Sequence, residues 1–75
     1  MTDGYMWRGV IKVREVSGET FEKADRPMLT KGAATGAARR MADSVRRSPS
    51  RTLLHYRVDR APLVWEEFES HPEND

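Results

Sequence analysis

The sequence predicts a small α+β domain: an antiparallel sheet of three or four strands with one helix on one face, in the order ββ-α-ββ. Three observations predict it. Two runs, Tyr5 to Val16 and Arg51 to Arg60, alternate apolar and polar residues with the period of a strand. Between them, Ala34, Ala37, Ala38, Met41 and Val45 recur at helical spacing. Gly18, Pro27 and Pro49 stand where the elements between them must end.

The first strand places Tyr5, Trp7, Ile11 and Val13 on its inward face and Arg8, Val10, Lys12 and Arg14 on the other. Gly9 sits in the inward row and leaves a gap that a neighbouring backbone or ring can fill. Val16-Ser17-Gly18 reads as a three-residue hairpin loop with Gly18 at positive φ. That loop sets Glu15 opposite Glu19, Val13 opposite Phe21 and Lys12 opposite Glu22. A two-residue turn would instead bring Phe21 beside Arg14 on the polar face, so the longer, bulged turn is preferred. The second strand, Thr20 to Ala24, ends at Asp25-Arg26-Pro27 because proline cannot donate to a ladder.

The helix begins after Thr30, a suitable N-cap, and ends before Pro49. Its small buried residues allow close approach to the sheet, while Gly32 and Gly36 weaken its intrinsic propensity. In the third strand Thr52, Leu54, Tyr56 and Val58 point inward, and Leu53, His55, Arg57 and Asp59 point out. Ala61-Pro62 reads as a corner. Leu63 to Phe68 then suits either a fourth strand or one helical turn, with Leu63, Val64 and Trp65 favouring the strand. Residues 1–69 form the single domain, and 70–75 an acidic tail without order of its own.

Size and composition narrow the function. A 75-residue chain buries only about two-thirds of its unfolded surface, so the core is thin. With no cysteine, neither a disulfide nor a thiolate metal site is available. Absence of disulfides in so small a domain favours the cytoplasm. No apolar run is long enough to span a membrane, and MTDGYMW lacks the pattern of a signal peptide. The formal net charge of +1 conceals a segregation. All 13 Lys and Arg lie in residues 1–60, while residues 61–75 hold five acids and none of the bases.

The string LTKGAATGAARRM at 29–41, followed by the strand from Arg51 and by VWEEF at 64–68, resembles short proteins of actinobacterial bacteriophages. Those proteins similarly start a KGAA-type helix after a hairpin and finish on a strand carrying Trp-Glu. The resemblance implies a phage origin and a small α+β fold, and it implies no activity.

The residues point away from catalysis. His55 has Arg57 and Asp59 along its strand but no second His or Cys, so it reads as a surface histidine. Glu66, Glu67 and Glu69 read as solvating acids, because neighbours on a strand face opposite ways. The hydroxyls of SVRRSPS have no activating base nearby in sequence. Lys31 with Gly32 and Gly36 does not follow the order of a phosphate loop. No cofactor or metal is expected.

The expected function is therefore non-enzymatic binding of a host or phage macromolecule. Arg39, Arg40, Arg46, Arg47 and Arg51 form the expected contact set, with Asp43 the only acid among them. Nucleic-acid binding through the same arginines is the alternative, although no recognised nucleic-acid motif accompanies them. Val10, Lys12, Leu53 and His55, read as one outward sheet face, are the expected homodimer surface.

Overall fold

The chain, seen in a computed structural model that describes residues 4–73, is an α+β domain. It runs β1 (Tyr5–Glu15), β2 (Thr20–Ala24), α1 (Lys31–Arg46), β3 (Arg51–Pro62). The sheet has the order β2-β1-β3 and is antiparallel throughout. The hairpin lays β2 on one side of β1. The helix then crosses one face of the sheet and returns the chain as β3 on the other side.

The hairpin has the expected register. Val13 stands opposite Phe21 and Lys12 opposite Glu22. The Glu15 N–H donates to the Glu19 carbonyl at 2.8 Å, and Gly18 takes φ 91°. Beyond Ala24 the chain stays beside β1. The Asp25 N–H donates to the Gly9 carbonyl at 2.9 Å, and Trp7 exchanges two backbone hydrogen bonds with Met28. Pro27 separates these two attachments, having no N–H to offer a ladder.

Thr30 caps α1, its Oγ1 accepting from the Ala33 N–H at 3.1 Å. Ala34, Ala37, Ala38, Ala42 and Val45 form the buried stripe, with Met41 half-buried at its margin. The helix closes as the Ser48 N–H donates to the Val45 carbonyl, just before Pro49. Gly9 is the seat of the helix: a Cβ there would lie 2.7 Å from the Ala38 backbone nitrogen and 2.8 Å from the Ala34 carbonyl oxygen. Beside it, Ile11, Val13, Ala42 and Val45 make a cluster flanked by Phe21, Met41 and Leu53.

Two expectations about β3 need correction. First, its inward and outward rows hold only from His55 onward. Lys12 pairs with His55 but Val13 pairs with Leu53, so Leu54 is an extra residue in a bulge. The bulge reverses the alternation, and Leu53 packs with the core on the helix side. Second, Ala61-Pro62 makes no corner and Leu63–Phe68 makes no fourth strand. β3 runs through to Pro62, opposite Tyr5, and the Leu63 N–H donates to the Gly4 carbonyl at 2.9 Å. There β1 ends, and the residues that follow pair with no strand among the described residues. Residues 63–73 carry neither helix nor strand, and the last two positions of the tail expected at 70–75 lie outside the described residues. No helix among the described residues is long and apolar enough to cross a membrane.

Candidate functional site

The five arginines expected to form one contact set divide into two groups. Arg39, Arg40 and Arg47 are exposed on α1 and its C-cap and have no carboxylate partner among the described residues. Arg46 turns toward β3: its guanidinium lies over the Tyr56 ring at 5.7 Å and pairs with Asp43 at 2.9 Å. Arg51 opens β3, pairs with Glu15 at 3.4 Å and lies over Phe21 at 5.7 Å. Arg46 and Arg51 thus flank the β3 side of the domain, and the other three face solvent from the helix.

Between Arg46 and Arg51 is an open hollow of about 590 Å³, with Leu53, Leu54, His55 and Tyr56 along its wall. It follows the outer edge of β3, which has no strand beside it among the described residues. Its rim is cationic and its floor partly apolar, with Tyr56 41% exposed. The sequence did not announce this hollow, because the bulge at Leu54 creates the mixed wall.

The sheet face away from the helix is an ion network. Arg57 on β3 reaches Glu22 on β2 through two hydrogen bonds, at 3.0 and 3.1 Å, and so crosses β1. It also donates to Asp59 at 2.9 Å, and Asp59 accepts from Arg8 at 3.3 Å. The hydrogen bond from Arg57 is the main cause that holds the Glu22 carboxyl below its ordinary value, with the positive charge of Arg57 adding to it. Asp59 is likewise lowered, first by Arg57 and then by Arg8. The two acids together push Arg57 upward.

The residues expected to form the self-association patch do not share one face. Val10, in register with Arg57, is only 1% exposed, and Leu53 has moved to the helix side. Lys12 and His55 remain on that face, His55 Nε2 lying 3.3 Å from the Arg57 guanidinium. Val10 and Leu53 therefore do not join Lys12 and His55 in one exposed surface.

Sequence reading missed Arg60. Its guanidinium lies 4.3 Å from the Tyr5 ring centroid and 5.9 Å from that of Trp7. The signal was present, since Arg60 continues the inward row of Tyr56 and Val58. The pairing partner of that row, Trp7, could be assigned only once the β1–β3 register was known.

The His55 Nε2 lies beside the Arg57 guanidinium, and no group of three or more His, Cys, Asp or Glu among the described residues could hold a metal ion. Beyond the body, residues 63–69 expose Val64, Trp65 and Phe68 among Glu66, Glu67 and Glu69. No protein-family model, curated protein or solved structure matches the chain.

Proposed function

We propose that the chain is a non-enzymatic binding protein, of the phage type its sequence resembles, that holds an acidic surface of a host or phage protein. The observation that carries this reading is the cation set on α1. Arg39, Arg40 and Arg47 project from a capped helix seated on Gly9, and no carboxylate of the described residues neutralises them. Solvated guanidinium groups, with their planar fork of donors, suit carboxylate recognition and speed encounter with an acidic partner. A protein partner is preferred over nucleic acid because no recognised nucleic-acid motif accompanies the arginines.

The test is affinity capture from host lysate with the full chain and with an Arg39→Glu/Arg40→Glu variant, with and without nuclease. The reading expects a protein recovered equally after nuclease treatment and lost with the charge reversal. Recovery abolished by nuclease establishes the nucleic-acid alternative. Capture unchanged by the reversal overturns the helix surface, and turnover of a substrate that requires His55 or Glu67 overturns the non-enzymatic reading.

A further inference from the structure

Among the described residues, the segment from Leu63 to Glu69 is the most exposed apolar stretch. Trp65 is 73% exposed and Phe68 92%, with Val64 exposed beside them. Three acids, Glu66, Glu67 and Glu69, are interleaved with these rings. Large exposed aromatics rimmed by charge mark interaction sites. The hollow beside β3 has the complementary character: Leu53, Leu54 and Tyr56 supply apolar wall, and the half-exposed guanidinium groups of Arg46 and Arg51, paired with Asp43 and Glu15, keep N–H donors for a further carboxylate. At about 590 Å³ it is large enough for an indole ring.

The segment does not occupy the hollow of its own chain, where Trp65 and Phe68 remain exposed. Leu54 lies eight residues back along β3 from Pro62, about 26 Å at strand rise. Trp65 is three residues beyond Pro62 and Phe68 six, giving reaches of roughly 10 and 20 Å, part of which a reversal of direction would consume. Neither ring returns to Leu53 and Leu54. A second copy has no such limit.

We infer that the acidic aromatic segment of one copy docks in the β3 hollow of a second copy, and that the exchange is reciprocal. Trp65 and Phe68 act as the anchors, the residue class that dominates interface energetics. Glu66, Glu67 and Glu69 face Arg46 and Arg51. The arrangement is isologous, so each copy gives one segment and receives one, and two identical contacts close the pair. It is not a plain pairing of two β3 edges. The Leu63 N–H points to β1, so the preceding position, Pro62, falls on the free edge and offers no donor there. The interface uses none of Arg39, Arg40 or Arg47, so it and the proposed partner surface fail independently.

The test is sedimentation equilibrium of the full chain and of two charge-reversed variants. The wild type is expected to sediment as a dimer whose dissociation constant rises with salt. Glu66→Lys/Glu67→Lys and Arg46→Glu/Arg51→Glu are each expected to be monomeric alone, with helix content unchanged by circular dichroism. Mixed in equal amounts, the two variants regain the dimer, because the basic segment of one meets the acidic hollow of the other while the two wild-type halves also match. Trp65→Ala/Phe68→Ala is expected to be monomeric and folded, and it regains no dimer with either reversed variant. A wild type that is monomeric at 100-fold the concentration used for circular dichroism overturns the inference. So does a dimer that survives Trp65→Ala/Phe68→Ala, or a mixture of the reversed variants that stays monomeric.

Discussion

Gly9 and Ala38 are in direct backbone apposition: a Cβ on Gly9 would stand 2.7 Å from the Ala38 nitrogen and 3.0 Å from its Cα. Gly9 does not have positive φ, so its lack of a side chain serves contact and not backbone conformation. The sheet and the helix meet there with only alanine methyls to either side, at Ala34 and Ala38. This close approach is what presents the exposed arginines of α1 on a fixed platform.

Gly9→Ala is therefore expected to destabilise the domain by about 1–3 kcal/mol, the range for overpacking a well-filled site. The obstructing atoms are helix backbone, which cannot rotate away as a side chain can. Urea denaturation measures the effect. A Gly36→Ala control separates it from a general effect of glycine replacement, since a Cβ on Gly36 meets only the flexible tip of Arg40 at 3.4 Å. In that position alanine is expected to stabilise the helix by up to about 1 kcal/mol.

Thr30→Ala is expected to cost about 1 kcal/mol through loss of the cap. The Thr30 hydroxyl satisfies the Ala33 N–H, one of the donors that a first helical turn leaves without a partner. Thr30→Ser retains the oxygen and is expected to restore most of the stability. Thermal unfolding followed at the helix band distinguishes the three proteins.

Acid should weaken the outer sheet face in a defined direction. Glu22 and Asp59 both titrate below their ordinary values because Arg57 donates to each of them. A depressed carboxyl contributes stability that is fully present above the unfolded value and is lost as pH falls through the folded one. The contribution is therefore intact above about pH 5 and declines below the ordinary carboxyl values of 4.5 and 3.8. Arg57→Met removes the cause, so its stability should change less between pH 5 and pH 2 than that of the wild type. Urea midpoints across that range give the comparison. An equal change in both proteins would place the acid sensitivity elsewhere.

The fold was largely legible because its signals are local. Gly18 and the parity of Val13 and Phe21 specify the hairpin, and Thr30 with the alanine stripe specifies the helix. The rows of β3 were not, because a bulge adds a residue without any change in composition. Nothing in Thr52-Leu53-Leu54-His55 says which leucine the core will take, since both are equally apolar. The candidate site suffered from the same blindness. Adjacent arginines in sequence, Arg46 and Arg47, part because Tyr56 stands near only one of them, and that contact joins residues ten positions apart. The missing fourth strand has a different origin: Leu63, Val64 and Trp65 have strand propensity, but propensity does not supply a neighbouring strand.

The bulge itself makes the sharpest structural prediction. Both leucines line the open hollow, but only Leu53 also packs against the cluster of Ile11, Val13, Ala42 and Val45. Leu53→Glu places a charge against the margin of that cluster, where the carboxylate loses part of its hydration and the apolar contact is lost. It is expected to lower the urea midpoint by more than any change at Leu54. Leu54→Glu leaves the group at an open surface beside Arg46 and Arg51, and its effect on stability is expected to stay within about 0.5 kcal/mol. An uninterrupted strand would reverse the two results, because Leu54 would then share the inward row with Tyr56 and Val58. Equilibrium unfolding of the two single variants decides between the alternations, and reading them at a concentration where the chain is monomeric keeps the result independent of any contact between copies.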